Sequence, residues 1–242
     1  MKNGYLFLHG KNSGPAAPIC TMTSLVNSFI NIGELVDYVP HSWGYGQIYS
    51  QPFEVVIAEV DAAVARLKTA GADYIHIVSH SIGCSVALYY ATQRSDFASI
   101  VLLAPAHNVH TVSMQLITEW SRLKANTLLE TLDYDTSTVE QFVENSVNEV
   151  KIINSTALNY LSYMDPMANS NVVINAGKIS QPISVLLIAG RNDMTQISVI
   201  SRIFFKIKRT SLSRYSITDD THISVSGTNS FDSILNWTRS IV

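Results

Sequence analysis

Short runs of β-branched and aliphatic residues alternate along the chain with longer stretches in which apolar residues recur every three or four positions. The short runs occupy 5–10 (YLFLHG), 34–39 (ELVDYV), 74–79 (YIHIVS), 99–105 (SIVLLAP), 183–190 (ISVLLIAG) and 214–219 (RYSITD). Most are apolar at nearly every position, as in strands covered on both faces; a half-exposed strand would alternate. Between the second and third runs, FEVVIAEVDAAVARLKTAG carries Val56, Val60, Val64 and Leu67 at helical spacing, with Gly71 where a C-terminal cap belongs. Strand–helix–strand units repeated in this way predict an α/β fold, a mostly parallel, doubly wound sheet of about six strands with helices on both faces.

The rhythm changes between residues 108 and 180. There 114–132 (MQLITEWSRLKANTLLETL), 137–154 (STVEQFVENSVNEVKIIN) and 156–168 (TALNYLSYMDPMA) fit amphipathic helices. The expected organisation is a core made of 1–107 and 181–242, with 108–180 a helical cap inserted over the C-terminal edge of the sheet.

Composition narrows the function. A chain of 242 residues, 47% hydrophobic and 14% charged, is long enough for one substantial domain. A net charge of −3, without basic block or acidic tail, argues against nucleic acid or an anionic membrane as partner. Cys20 and Cys84 are too few for a disulfide framework. The first ten residues, MKNGYLFLHG, form neither a signal peptide nor a membrane span, so a reducing, cytoplasmic setting is expected. His41, His76, His107 and His110 lack metal-ligand spacing with carboxylates or cysteines, and neither metal nor cofactor is expected. No feature of the sequence speaks for a particular oligomeric state.

Candidate chemistry centres on IHIVSHSIGCSVALYYA, residues 75–91. A nucleophilic serine needs exposure, a base and donors for the oxyanion, and Ser81 lies where a buried strand meets the first turn of a helix. A turn this tight demands small residues two positions to either side, here Ser79 and Gly83. The stretch resembles the α/β-hydrolase superfamily, whose nucleophile elbow usually reads G-x-S-x-G, with Ser79 in place of the first glycine. The resemblance implies the chain order nucleophile, acid, histidine. It nominates Asp193 in RNDMT after one later strand and His222 in THISVS after the last. The stretch 103–110 (LAPAHNVH) offers no rival carboxylate, and Asp219 and Asp220 are too near His222 in sequence to orient its ring.

The same resemblance implies an oxyanion hole made by the backbone N–H groups of Ile82 and Lys11, with Asn12 as the alternative, since LHGKNSG ends the first strand. His9 and His80 are expected in supporting roles, Gly44-Tyr45-Gly46 as an architectural loop, and Cys84 as a small buried residue. With its first strand almost at Met1, the core is expected to be the compact kind. The cap supplies Met114, Trp120, Leu123, Tyr160, Tyr163, Met164 and Met167; of these Met114, Trp120, Tyr163 and Met164 are the candidate lining of a substrate pocket. The implied activity is a serine hydrolase, carboxylesterase-like, acting on small or medium acyl esters. Lys11 near the mouth makes an acyl thioesterase the alternative, and a non-catalytic ligand-binding hydrolase fold is a third possibility.

Overall fold

The computed structural model describes residues 1–14, 16–17, 20–39, 42–105, 116–146, 149–193 and 197–242. In chain order its elements are β1 (Asn3–Leu8), α1 (Thr23–Asn31), β2 (Leu35–Tyr38), α2 (Val56–Thr69), β3 (Tyr74–His80), α3 (Ile82–Gln93) and β4 (Ser99–Leu103). Then come α4 (Leu116–Glu130), β5 (Val139–Ser146), β6 (Glu149–Thr156), α5 (Ala157–Met164) and α6 (Val172–Lys178). The chain closes with β7 (Ser184–Gly190), α7 (Ile197–Lys206), β8 (Arg214–Thr218) and α8 (Phe231–Arg239).

Six strands form one sheet in the order β2-β1-β3-β4-β7-β8, and every pairing in it is parallel. Alternate residues of the inner strands β1, β3, β4 and β7 enter opposite cores. Leu6, Leu8, Ile77, Leu102 and Leu187 pack with the α2 stripe of Val56, Val60, Val64 and Leu67. On the other face Tyr5, Phe7, Val78, Val101 and Ile188 pack against α1 and α8 through Phe29, Ile234 and Trp237. Two-sided burial is why these inner strands are apolar at most positions. Helix α3 lies between α2 and α6 and buries residues around its whole circumference, from Ile82 to Tyr90. Gly71, at φ +94°, closes α2 as expected of a capping glycine.

The segment between β4 and β7 differs from expectation at two places, of which one is helix α6, where no element was predicted. Residues 137–154, predicted as an amphipathic helix, instead hold most of an antiparallel hairpin in which Val139 pairs with Thr156 and Ser146 with Glu149. Val139, Phe142 and Val143 satisfy helical spacing, but the chain is rich in valine and isoleucine, and its burial alternates. Phe142, Glu144, Ile153 and Ser155 face inward, while Val139, Val150 and Ile152 face out. β-Branched residues on a half-buried pleated surface favour the strand. The flanking helical predictions correspond to α4 and α5.

Candidate active site

The turn at Ser81 is built by close packing. Ser81 has φ +55° and ψ −121°, a backbone conformation that a non-glycine residue adopts only when its surroundings force it. Its N–H donates to the Leu103 carbonyl at 3.1 Å, and its own carbonyl accepts from Cys84 N–H at 3.0 Å. A side chain on Gly83 would overlap the Leu8 carbonyl oxygen, so α3 begins against β1 only because that position is glycine. Ser79 is buried and donates through Oγ to the Val101 carbonyl at 2.7 Å. The serine that replaces the usual glycine therefore brings its own hydrogen-bond partner into the core.

Two loops arrive from the far edge of the sheet already joined. Arg191 N–H donates to the Thr218 carbonyl at 2.7 Å and Asn192 N–H to the Asp220 carbonyl at 3.0 Å. A Cβ at Gly190 would collide with the same Asp220 carbonyl, so the glycine permits the contact. This staple brings Asp193 to His222: Oδ2 of Asp193 lies 2.9 Å from Nδ1 of His222, and Nε2 of His222 lies 3.1 Å from Oγ of Ser81. The Asp193 side chain is 1% exposed and that of His222 14%, so the carboxylate is shut from solvent while the ring keeps an open edge. Asp219 pairs with Arg191 on the surface, and Asp220 accepts from Ser224 and Asn229, so neither rival carboxylate turns to the ring.

His80 supports the arrangement from behind. It is fully enclosed, and its pKa is lowered to about 3, first by burial and then by the neighbouring His222. The neutral ring lies with Nε2 2.8 Å from the His222 carbonyl, which as an acceptor fixes the proton on that nitrogen. Thr21 Oγ1 lies 3.4 Å from Nδ1. Burial likewise lowers His9 to about 4 and raises the Cys84 thiol to about 12, which makes Cys84 an inert core residue rather than a second nucleophile.

The loop after β1 packs against the elbow: a Cβ on Gly10 would stand 3.4 Å from Cβ of Ser81. Of the two candidate donors in this loop, Asn12, at φ +55°, gives its N–H to the Trp43 carbonyl at 2.9 Å. The N–H groups of Lys11 and Ile82 make no hydrogen bond among the described residues. The Lys11 side chain rises into the hairpin, where Nζ donates to Oε2 of Glu144 at 2.5 Å.

The expected pocket residues fall in other places. Met114 lies outside the described residues, as do His41, His107 and His110. Trp120 is 69% exposed on α4, and Leu123 and Met167 are also exposed. Tyr163 and Met164 are enclosed in the seam between cap and core: Tyr163 OH is 2.9 Å from Ser42 Oγ, and Tyr49 OH donates to Met164 Sδ at 3.6 Å. The partners missed by sequence reasoning are Tyr49 and Glu144. Tyr49, at φ +55° and buried, stacks on Tyr163 with centroids 4.2 Å apart. No local pattern marked either residue. Among the described residues, no cluster of His, Cys, Asp and Glu could hold a metal, and no helix is long and apolar enough to cross a membrane.

Residues 42–216 match the family model Hydrolase_4, serine aminopeptidase S33. The match contains Ser81 and Asp193 and stops short of His222. No curated protein matches the sequence. Among solved structures, the chain is similar to a Paleococcus ferrophilus monoacylglycerol lipase: 16% identity, 99% of this chain and 95% of that one, TM-score 0.65. It is also similar to a structure from a study of LipS and LipT, metagenome-derived lipolytic enzymes: 17% identity, 99% and 92%, TM-score 0.64. A third is MenH from S. aureus: 17% identity, 99% and 94%, TM-score 0.60. At these identities the structures speak for the fold, and the family follows from the matched span, most of the chain: the protein belongs to the serine aminopeptidase S33 family of α/β-hydrolases.

Proposed function

We propose that the protein is a serine hydrolase that cleaves carboxylic esters of small or medium acyl groups through an acyl-enzyme on Ser81. The observation that carries this reading is the continuous hydrogen-bonded chain Ser81–His222–Asp193, with contacts of 3.1 and 2.9 Å. In the first half-reaction Ser81 Oγ attacks the ester carbonyl and His222 Nε2 takes its proton. The N–H groups of Ile82 and Lys11 hold the oxyanion, and the alcohol leaves with the proton returned by His222. Asp193, accepting from Nδ1–H, holds the tautomer that leaves Nε2 free as a base and stabilises the imidazolium. Water then attacks the acyl-enzyme by the same route, releasing the acid and restoring Ser81. The steps need no cofactor.

Ester is preferred to thioester for a specific reason. The thioesterase alternative rests on Lys11 attracting an anionic carrier, and the Lys11 ammonium is already paired with Glu144. An aminopeptidase would require a carboxylate for the substrate's free amine. The two buried carboxylates already described are paired, Asp193 with His222 and Glu144 with Lys11. The two cysteines are free thiols, in keeping with the proposed cytoplasmic setting.

Labelling with a fluorophosphonate, followed by hydrolysis of matched p-nitrophenyl esters, acyl thioesters and aminoacyl anilides, tests the proposal. An adduct on the native protein and none on Ser81→Ala is expected, together with preference for the ester series. Equal labelling of both proteins would leave the fold as a ligand-binding module, and preference for thioesters or anilides would replace the substrate class.

A further inference from the structure

The oxyanion loop and the hairpin above it are joined by a buried ion pair. The loop Gly10-Lys11-Asn12-Ser13-Gly14 has a glycine at each end and, at Asn12, a left-handed residue, so its backbone has few intrinsic constraints. Trp43 Nε1 donates to the His9 carbonyl at 2.9 Å and Tyr45 N–H to the Ser13 carbonyl at 3.0 Å, which anchors the ends of the loop, and two further contacts hold the residues around the Lys11 N–H itself. From one side, the Trp43 carbonyl takes the Asn12 N–H at 2.9 Å. From the other, the Lys11 side chain passes the Tyr49 ring, 5.7 Å from its centroid, and ends on Glu144 Oε2 at 2.5 Å.

Glu144 cannot easily yield. Its side chain is 0% exposed and that of Lys11 only 20%, so each charge depends on the other, and Oε1 of Glu144 has no hydrogen-bond partner among the described residues. Separating such a pair strands a carboxylate in the protein interior, which is strongly unfavourable. Strand β5 is itself pinned at the preceding residue, where Ser121 Oγ accepts from Val143 N–H at 2.7 Å and donates to the Val143 carbonyl at 2.8 Å. The chain of constraint thus runs from α4 through Ser121, Val143 and Glu144 to Lys11. The ammonium also cancels a carboxylate charge that would otherwise oppose an oxyanion forming nearby.

We propose that Glu144 is a positioning residue: from the hairpin it fixes Lys11 so that the Lys11 N–H is preset for the oxyanion, and the hairpin thereby becomes part of the catalytic apparatus. The inference rests on the proposed serine hydrolase reading. Four variants test it, namely Glu144→Gln, Glu144→Ala, Lys11→Met and Lys11→Met/Glu144→Ala. Each is assayed with a p-nitrophenyl ester and a trifluoromethyl ketone, whose hemiketal mimics the oxyanion, and examined by hydrogen–deuterium exchange over 9–14. Removing an oxyanion donor outright costs about 10²–10³-fold in kcat, so a displaced one should cost about 10–100-fold.

Glu144→Ala and Lys11→Met are expected to lose that much kcat with KM within about threefold, and to bind the ketone more weakly by a similar factor, because the loss falls on the transition state. The double variant should be no worse than the worse single, since the pair acts as a unit. Glu144→Gln, which keeps an acceptor for Lys11, should recover most of the rate. Exchange over 9–14 should rise in Glu144→Ala. Should Glu144→Ala not fold, Lys11→Met and Glu144→Gln carry the comparison. Unchanged exchange, a loss confined to KM, or losses that multiply in the double variant would overturn the proposal. A wild type that neither hydrolyses ester nor labels would instead overturn the hydrolase reading, leaving the exchange result to decide whether Glu144 orders the loop.

Discussion

Ser81, Asp193 and His222 are held by backbone geometry at strand ends: a left-handed turn, a glycine against a carbonyl, two main-chain hydrogen bonds between neighbouring loops. The segment between β4 and β7 is attached differently. Lys11 to Glu144, Ser42 to Tyr163, Phe53 N–H to Ser162 and Ser155 to the Tyr49 carbonyl join residues 133, 121, 109 and 106 positions apart. Three of these four attachments end on the segment 42–53, and Tyr49 at its middle adopts positive φ. A site placed by main-chain constraint tolerates exchange of the side chains around it. An interface placed by individual side chains depends on each of them.

The largest effect should fall on the strand ends. His222→Ala is expected to lower kcat for the ester by about 10⁴-fold with little change in KM, and Asp193→Asn by a comparable factor through the wrong ring tautomer. The temperature of thermal unfolding should fall only modestly in His222→Ala, because its loop is fixed through the main chain and the cost is confined to the buried Asp193 carboxylate, which loses its His222 partner. A steady-state assay beside a melting curve checks both halves. A rate loss accompanied by global unfolding would contradict the separation drawn above.

The seam should respond in the opposite sense, through stability. Tyr163 is fully buried, stacked on Tyr49 and hydrogen-bonded to Ser42, so Tyr163→Ala is expected to cost about 3–5 kcal/mol. Urea denaturation followed by both tryptophan fluorescence and circular dichroism should show one transition shifted to lower urea. Two separated transitions would mean that the cap unfolds as a lid independent of the sheet.

The same contrast explains which features were legible. The four inner strands β1, β3, β4 and β7 stood out as apolar runs because burial on both faces removes alternation, the partly exposed edge strands β2 and β8 were found as β-prone runs, and the observed limits of all six differ from the runs by at most two residues at either end. Ser81, Asp193 and His222 were nominated by the resemblance's chain order applied to those strand ends, which needed no knowledge of the cap. The hairpin was misassigned because Val139, Phe142 and Val143 fit a helix as well as a strand over so short a span, and only the contact with Tyr49 and Lys11 decides which face is inward. Glu144 looked like one of many surface acids. Nothing within ten residues of it announces a lysine 133 positions earlier.

Acid should act on the sheet first. The histidines of the sequence all lie outside 116–178, and burial holds His9 and His76 at about 4 and His80 at about 3. Each is therefore neutral in the folded protein while the unfolded chain protonates near pH 6.5. Between these values the unfolded state binds more protons, so stability falls as pH drops from about 6.5 toward 4. A histidine displaced from 6.5 to about 4 contributes up to about 3 kcal/mol to that loss at the lower end. His76 lies at the end of β3 away from Ser81, with Nδ1 2.8 Å from Ser99 Oγ, so His76→Gln isolates one share of the slope without touching the site. Unfolding free energies at pH 7, 5 and 4 should decline less steeply in the variant. An identical decline would assign the acid sensitivity to other groups.

The smallest effect concerns two lysine–glutamate pairs on one strand. Glu140 and Glu144 both belong to β5, and Lys124 Nζ donates to Glu140 Oε2 at 3.0 Å much as Lys11 does to Glu144. The difference is water: the Lys124 and Glu140 side chains are 43% and 26% exposed, so each charge keeps hydration when its partner is lost. Lys124 also retains the Gln141 carbonyl at 3.0 Å and the Phe142 ring at 5.3 Å. Glu140→Ala should then cost no more than about 0.5 kcal/mol, a cost that shrinks further in 0.5 M salt, and should leave kcat unchanged. Because the two glutamates share strand, partner type and local backbone, the comparison removes every variable except burial and what the lysine backbone does. If Glu140→Ala lowered kcat as Glu144→Ala is expected to, the effect would belong to the hairpin's general fit on the core and not to the hold of Glu144 on Lys11.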